Sequence, residues 1–341
     1  MEKPILNVLQ GKKPVHVPIW LMRQAGRYLP EYRDLRAKAK NFLNMCLTPD
    51  WATEITLQPI RRFGFDAAIL FADILLVPMA LGAGLDFREG EGPVLEYIDN
   101  QKRIDQLSYD NSKLLAVYET LARVKKELPD NTTLIGFCGA PWTVACYMID
   151  GNSKGGFATS RRWVAEKSPL LDNLIRTLVD ASELYLIQQI ESGAEVLQIF
   201  DSWGGLLQGA DFDRYVIQPT ADLIRRIKKK YPHVPIIGFP REALPEDYKL
   251  YAMQTDIDAM SIDFNLSLDF AKNTLQPVKT LQGNLSPDLL VEGGANMLKA
   301  AEKILTTFGP QHIFNLGHGV VPQTPPEHVG ELVKFVQGFK F

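Results

Sequence analysis

Two arginines, Arg23 and Arg27, stand four positions apart directly after an apolar run near the start of the chain. A guanidinium binds a carboxylate or a phosphate through two parallel hydrogen bonds, so a pair of them suits an anionic ligand. The same arginines could instead be solvated surface residues or ion-pair partners of Glu31 or Asp34. Their types and spacing indicate a candidate anion site without excluding the surface alternative.

One carboxylate, Asp73, interrupts the otherwise apolar residues 67–85. A charge among apolar neighbours needs hydrogen-bond donors, and a site that awaits the N–H groups of a ligand can leave it short of them. The alternative is an aspartate that caps local backbone amides. The stretch is long enough to cross a bilayer, but a central Asp costs about 3 kcal/mol there, and Pro78 and two glycines break a helix. We therefore predict a buried strand and a following loop.

Three further side chains could complete a binding site: Tyr147, Ser202 and His318. Tyr147 could donate a hydrogen bond, although such a ring often only packs. Ser202 could bind a carboxylate, and it lacks the G-x-S-x-G context of a nucleophilic serine. His318 stands between two glycines, where an imidazole could bind a carboxylate or take part in proton transfer. The position is equally compatible with an ordinary histidine in a turn.

Charge and cysteine content argue against several classes of protein. The chain has 341 residues and a formal net charge of -3, which predicts neither a nucleic-acid partner nor attraction to an anionic membrane. Cys46, Cys138 and Cys146 form no C-x-x-C or H-x-C pattern, which argues against a disulfide framework and against a metal site. The first residues do not resemble a secretory signal, so we expect a cytoplasmic protein.

The pattern of the whole chain predicts eight βα units. Short β-branched or apolar runs alternate with stretches of helical periodicity, which is typical of helices around a parallel sheet. Helices are expected over residues 50–63 and 170–192 and from residue 288, with Gly64, Gly193 and Gly309 closing helices. The predicted strands are residues 17–22, 67–71, 133–137, 196–200, 235–239, 259–262, 280–282 and 312–316.

These units favour an α/β fold, a single (β/α)8 barrel. No linker rich in Pro, Gly or Ser divides the chain, so residues 1–341 are expected to form one domain. In such a barrel the chemistry lies at the carboxyl ends of the strands. Arg23, Arg27, Asp73 and His318 each follow a predicted strand, and Arg241 follows the fifth. Residues from distant parts of the sequence are therefore expected at one mouth.

Several of these residues also carry a resemblance to a known family. The runs PIWLMRQAGRYLPEYR at 18–33 and GFCGAPWTVACYMIDG at 136–151 closely resemble two signatures of the uroporphyrinogen decarboxylase family. Shorter matches are FADIL, FDSW and NLGHG, so the likeness spans essentially the whole chain. One departure is at Glu242, where relatives often have a glycine-rich turn after the basic residue. Because of this difference, the resemblance does not define the shape of this loop or the role of Arg241.

The resemblance implies a TIM barrel, usually a homodimer, that acts in haem and chlorophyll biosynthesis. Its members remove the carboxyl groups from the four acetate side chains of uroporphyrinogen III, which gives coproporphyrinogen III and carbon dioxide, without a metal or other cofactor. By this likeness Arg23 and Arg27 hold substrate carboxylates and Asp73 meets the pyrrole N–H groups. Catalytic roles are expected for Asp73, Arg23, Tyr147 and His318. The remaining substrate contacts are expected from Gln24, Tyr147, Ser202 and His318.

The chemistry of the implied reaction fits these residues. When an acetate arm loses carbon dioxide its electrons need a sink, and a pyrrole ring protonated at carbon supplies one. A protein that promotes this step must bind a polyanion, stabilise a transiently positive pyrrole and return a proton. Arg23, Tyr147, His318 and bound water are all conceivable donors of the ring proton.

Two other functions are compatible with parts of the pattern. A corrinoid-linked methyltransferase would share the barrel, and it would normally need a zinc site of His and Cys ligands. A porphyrinogen-binding protein without catalysis would keep the arginines but could lose Asp73 or Tyr147. Both residues are present, and the double arginine favours the decarboxylase.

Overall fold

The computed structural model describes residues 2–88 and 92–341, and its central element is a parallel sheet of seven strands. In the order β1-β4-β5-β6-β7-β8-β9, each strand lies beside the next sheet strand along the chain, while β2 and β3 form a separate antiparallel hairpin. The strands are Ala67–Ile69 (β1), Leu85–Arg88 (β2), Gly92–Leu95 (β3), Thr133–Gly139 (β4), Val196–Asp201 (β5), Ile236–Pro240 (β6), Ala259–Ser261 (β7), Thr280–Leu285 (β8) and His312–Leu316 (β9).

Helices connect consecutive strands of the sheet, as the predicted βα units require. They are Pro4–Leu9 (α1), Pro30–Lys38 (α2), Phe42–Cys46 (α3), Pro49–Phe63 (α4), Leu76–Ala80 (α5), Gln101–Asp105 (α6), Leu115–Glu127 (α7), Pro141–Asp150 (α8), Ala158–Ala165 (α9), Pro169–Glu191 (α10), Gly209–Phe212 (α11), Gln218–Lys230 (α12), Pro245–Gln254 (α13), Leu268–Phe270 (α14), Pro287–Glu292 (α15), Gly294–Phe308 (α16) and Pro326–Gly338 (α17). Among the described residues, no helix is long and apolar enough to cross a membrane.

The predicted helix starts are confirmed to within one residue. The side chain of Ser168 accepts a hydrogen bond from the backbone of α10, and that of Ser286 does the same for α15. Each of these serines satisfies an amide that has no partner inside the helix, and the proline that follows has no N–H to lose. Gly64 ends α4 with φ 71° and ψ 39°, a left-handed conformation that glycine adopts without strain.

The first predicted strand, residues 17–22, is wrong as a strand. The structure has a single parallel bridge there, between Ile19 and Phe314 of β9. Around it Trp20 N donates to Phe314 O over 3.3 Å, and Phe314 N donates to Pro18 O over 2.8 Å. On the other side Ile19 O accepts from Asp66 N, next to β1, over 3.0 Å. The segment therefore lies between the two edge strands of a curled sheet.

Side chains satisfy the amides that a strand would have used for ladder bonds. Ile19 N donates to Asp66 Oδ2 over 2.9 Å, Leu21 N donates to Gln24 Oε1 over 3.1 Å and Met22 N donates to the side chain of Asn315 over 3.0 Å. Because these amides are already paired, the backbone has no regular ladder to extend. In place of the closed eight-stranded barrel expected from the sequence, the structure has seven strands and this irregular segment.

The hairpin of β2 and β3 has no counterpart in the sequence prediction. Its register pairs Leu85 with Leu95 and Phe87 with Pro93. The ring of Phe87 lies 4.9 Å, between centroids, from that of Phe42. The apolar residues 67–85 thus form β1, a turn, the short helix α5 and the start of a hairpin, which agrees with the predicted buried strand and adds two elements.

A layer of buried polar side chains crosses the interior of the sheet. Gln282 of β8 accepts a hydrogen bond from Trp20 Nε1 over 2.8 Å, and its amide nitrogen donates to Gln198 Oε1 over 3.0 Å and to Ser261 Oγ over 2.5 Å. Because β5 and β8 are not neighbours, the bond to Gln198 spans the inside of the curled sheet. Beneath this layer an apolar cluster includes Ile5 and other side chains from α1 and the strands.

We expect Gln282→Leu to destabilise the protein by about 2 to 4 kcal/mol, because it leaves the Trp20 indole N–H and the Gln198 oxygen buried without partners. The measurement is the free energy of unfolding in urea. Gln106→Leu, on the exposed end of α6, is the matched control and should change stability little. Equal stability of the two variants would show that the crossing layer does not hold the strands together.

Candidate active site

A cleft of about 1270 Å³ opens at the carboxyl ends of the strands. Its floor is apolar and comes from different strands, through Ile69, Phe137, Phe200 and Phe239. Polar residues around it include Arg23, Arg27, Asp73, Tyr147, Ser202, Arg241 and His318. The structure therefore brings together all but one of the site residues predicted from the sequence.

Gln24 is the exception. Its side chain is fully buried, accepts from Leu21 N and donates from Nε2 to Ala67 O over 3.0 Å. Both ends of the amide are thus used to fasten the segment before Arg23 to β1. The structure does not place Gln24 among the residues that line the cleft, and its expected substrate contact stays a prediction.

The two arginines face the cleft without a carboxylate partner among the described residues. Glu31, a candidate partner, lies 3.2 Å from the guanidinium of Arg62. Arg23 has a left-handed backbone with φ 61°, unusual for a residue that has a Cβ. Its side chain lies so close to Gly319 that a Cβ there would overlap it. The second glycine of the NLGHG run is therefore required by the path of Arg23.

Asp73 combines the two roles that its sequence left open. Its Oδ1 accepts a hydrogen bond from Leu75 N over 2.8 Å, so it does cap the local backbone. No hydrogen bond joins its Oδ2 to a residue that the structure describes, and the side chain lines the cleft. Burial raises the pKa of Asp73 to about 6, against the opposing effects of the Leu75 N–H and the positive charge of Arg23. At pH 7 to 8 the carboxylate is therefore mainly ionised and costly to bury.

His318 is neutral in this environment. Burial, together with the positive charges of Arg241 and Arg23, lowers the pKa of His318 to about 3. The imidazole can therefore donate or accept a hydrogen bond near neutral pH, but it does not act as a cation. The preceding Gly317 lies against the backbone of Phe264, where a Cβ would collide.

Tyr147 and Ser202 border the cleft on the side of α8 and β5. The Tyr147 ring meets Phe157 edge to face at 5.4 Å between centroids and Trp203 at 6.3 Å. Burial raises the pKa of Tyr147, so its hydroxyl stays protonated and can donate a hydrogen bond. Ser202 directly follows β5, and its neighbour Asp201 points away from the cleft.

Asp201 stabilises the turn that carries Ser202. Thr143 Oγ1 donates to Asp201 Oδ1 over 2.5 Å, and Trp203 N donates to Thr143 Oγ1 over 3.0 Å. Burial raises the pKa of Asp201 to about 7. These bonds connect the start of α8 with the end of β5, and so they hold two walls of the cleft together.

Sequence reasoning missed several residues that line the cleft. Arg36 and Lys40 add positive charge at its rim, and Phe42 and Phe87 add an aromatic wall. The basic pair lies only a few residues beyond the first signature, which is a signal that could have been used. Phe87 offered none, because its position depends on the unpredicted hairpin. No group of three or more His, Cys, Asp or Glu within the described part of the chain could hold a metal ion.

Together the fold and the cleft define a parallel α/β protein with an arginine-lined site at the carboxyl ends of its strands. The sequence model described as uroporphyrinogen decarboxylase (URO-D) matches residues 1–339. The chain belongs to the uroporphyrinogen decarboxylase family, which confirms the resemblance seen in its motifs.

Curated relatives extend over nearly the whole chain. It is 46% identical over 339 residues to the uroporphyrinogen decarboxylase of Rhodospirillum rubrum, with 98% of this chain and 97% of that protein covered. It is 48% identical over 343 residues to the uroporphyrinogen decarboxylase of Granulibacter bethesdensis, with 99% of both covered.

Solved structures with low sequence identity share the fold. A methyltransferase from Methanosarcina mazei has a TM-score of 0.79 at 18% identity and 98% coverage of both chains. A B12-independent methionine synthase from Shewanella sp. W3-18-1 has a TM-score of 0.59 at 10% identity, covering 96% of this chain and 93% of that one. At such identities the likeness concerns architecture alone.

We expect Asp73→Asn to stabilise the folded protein at neutral pH. The folded-state pKa of about 6 lies above the ordinary value of 3.8, so burial of the ionised form costs stability as pH rises from about 4 to 6. Asn keeps an oxygen for Leu75 N and carries no charge. The variant should therefore gain up to about 3 kcal/mol over the native protein at pH 7.5, and less at pH 5.

The measurement is urea unfolding at both pH values. Asp130→Asn, at an exposed position, is the control and should show no comparable pH-dependent gain. A gain for Asp73→Asn that is absent, or equal at the two pH values, would mean that Asp73 does not have a raised pKa.

Proposed function

We propose that this protein is a uroporphyrinogen decarboxylase. It removes carbon dioxide from the four acetate side chains of uroporphyrinogen III and releases coproporphyrinogen III in tetrapyrrole biosynthesis. The observation that carries the proposal is a cleft large enough for a macrocycle that is lined by Arg23, Arg27 and Asp73, with no hydrogen bond from Asp73 Oδ2 to any residue that the structure describes. Family membership over residues 1–339 supports it.

Positive side chains account for recognition of this substrate. Uroporphyrinogen carries eight carboxylates around an apolar macrocycle, and the cleft has arginines on its walls above a floor of phenylalanines. Neither Arg23 nor Arg27 forms an ion pair with another residue in the described part of the chain, so a substrate carboxylate need not displace an internal partner of this kind. The floor can pack against the pyrrole rings while the carboxylate arms reach the walls.

Asp73 accounts for the chemical step. Its free Oδ2 accepts hydrogen bonds from pyrrole N–H groups, and its negative charge stabilises the ring once a proton has been added to carbon. The carbon–carbon bond to the carboxyl group then breaks, and its electron pair moves into the positive ring. A second proton then converts the resulting methylene into a methyl group, and the first proton leaves the ring carbon, which restores the neutral pyrrole. The net change for each arm is one proton taken up and one carbon dioxide released. His318 is neutral near pH 7, so it contributes hydrogen bonds to the bound substrate and not a positive charge.

We extend the proposal to the molecule as a whole. Residues 17–22 take the place of the eighth strand of a (β/α)8 barrel. Their hydrogen bonds to Phe314 on one side and to Asp66 on the other support this assignment. Residues 1–341 work as one domain, in a homodimer located in the cytoplasm, with no nucleic-acid partner and no metal or other cofactor. The resemblance to the family supports these statements, and size-exclusion chromatography with light scattering tests the dimer.

The function is tested by incubating the protein anaerobically with uroporphyrinogen III and separating the oxidised products by fluorescence chromatography. We expect porphyrins with seven, six, five and finally four carboxylates, and equal rates after dialysis against a chelator. A protein that yields none of these products is not a decarboxylase. Activity that is lost on dialysis and restored by zinc would refute cofactor independence and favour a metal-dependent enzyme.

We expect Asp73→Asn to fold and to bind coproporphyrinogen measurably, while its turnover falls by roughly a hundredfold or more, about 3 kcal/mol in the barrier. The amide can accept a pyrrole N–H bond, but it offers no attraction to the positive ring. Asp73→Glu keeps the charge and displaces it by one methylene, so it separates charge from position. Single-turnover decarboxylation is the measurement, and near-native turnover by folded Asp73→Asn would remove the electrostatic role.

A further inference from the structure

A third guanidinium, that of Arg241, faces the cleft directly after β6. Its side chain is 15% exposed. Nη1 donates weakly to Ser202 O over 3.4 Å, and Nη2 pairs with the adjacent Glu242. The buried Nε makes no hydrogen bond to any residue within the described ranges. A buried donor without a partner carries a free-energy cost unless a ligand satisfies it.

The backbone of Arg241 is fixed on both sides. Its N–H donates to Asp201 O and to Phe239 O, each over 3.0 Å, and its carbonyl accepts from Gly205 N over 2.9 Å. Gly205 lies so close to Glu242 that a Cβ there would overlap its backbone. The turn is therefore held against the end of β5, and the direction of the Arg241 side chain does not depend on a mobile loop.

The next residue is held in a conformation that glycine usually takes. Glu242 has φ 61°, and its N–H donates over 2.9 Å to Asp263 Oδ2, which also accepts from Tyr248 OH over 2.9 Å. A non-glycine residue in the left-handed region has a strained backbone, and such strain is concentrated at functional sites. Arg23, across the cleft, has the same unusual sign of φ.

The charges around His318 are arranged for an anion. Arg241 and Arg23 both lower the pKa of His318, so two positive charges lie close to a neutral imidazole. Ser202 lies beside Arg241 on the same wall. A carboxylate placed among these groups would meet a fork of N–H donors and a hydroxyl. Glu242 pairs with Arg241 and partly neutralises it, and its side chain is 45% exposed, so it can swing away into solvent.

We propose that Arg241 is a further substrate-binding residue. It takes a carboxylate arm of the porphyrinogen on the side of the cleft formed by Ser202 and His318, and Glu242 is a resident counter-ion that this carboxylate displaces. The proposal rests on the proposed function. Arg241, which follows β6, thus takes part in substrate binding. This role explains why a strained glutamate is tolerated at position 242. Because Glu242 competes with the substrate, the two residues have opposite effects on binding.

The test measures KM and kcat with uroporphyrinogen III for the full-length protein and four variants. Arg241→Gln should raise KM by about tenfold or more with kcat within about threefold, because a desolvated charged contact to the substrate is lost. Arg241→Lys should recover part of the loss, since it keeps the charge and loses the planar fork. Glu242→Gln should leave KM unchanged or lower it about two- to fivefold. Arg176→Gln, an exposed arginine of α10 that does not line the cleft, is the matched control.

The opposite signs separate binding from structure. If the Arg241–Glu242 pair only stabilised the turn, both Gln variants would raise KM to a similar extent, and that result would overturn the proposal. So would a native KM in an Arg241→Gln protein whose melting temperature is normal. Should Arg241→Gln fail to fold, Arg241→Lys and Glu242→Gln still decide the matter through their KM values. A native protein that lacks decarboxylase activity would instead refute the proposed function itself.

Discussion

The hydrogen bonds that fix residues 18–24 between β9 and β1 determine where the chemistry of this protein can lie. Phe314 holds one side of the segment, and Asp66 holds the other through both its backbone N–H and its carboxylate. Gln24 adds a bond to β1 through Ala67 O. Because Arg23 is part of this segment, its guanidinium is placed over the cleft by contacts to both edges of the sheet. Without them the sheet edges would lie open, and the first wall of the cleft would lack a support.

The apolar floor and polar walls of the cleft determine the charge states of Asp73 and His318. Phenylalanines form part of the floor of the cleft that Asp73 lines, and burial raises the pKa of that carboxylate to about 6. The hydrogen bond from Leu75 N and the positive charge of Arg23 both oppose this rise. The same burial, with two arginines nearby, keeps His318 neutral. Asp73 and His318 thus line the same cleft, and the charge of each group is set by its surroundings.

Much of the fold and of the site could be predicted from the sequence, because the signals were local. Seven predicted strands appear, since continuous apolar runs such as that of β4 specify buried parallel strands. Asp73 and His318 were identified because they follow such runs. The segment 17–22 could not be predicted as a near-strand, because its amides are satisfied by side chains of distant residues such as Asn315. The burial of the Gln24 side chain could not be predicted either, since its position within a signature does not reveal the direction of its side chain.

The proposed mechanism requires that Asp73 contacts the pyrrole N–H groups while the arginines bind carboxylates. The most direct measurement is a crystal structure of the protein with coproporphyrinogen III, prepared anaerobically. The proposed mechanism predicts pyrrole nitrogens at hydrogen-bond distance, about 2.7 to 3.2 Å, from Asp73 Oδ2, with propionate side chains bound to Arg23 or Arg27. A macrocycle bound outside the cleft, or one that turns its N–H groups away from Asp73, would contradict it.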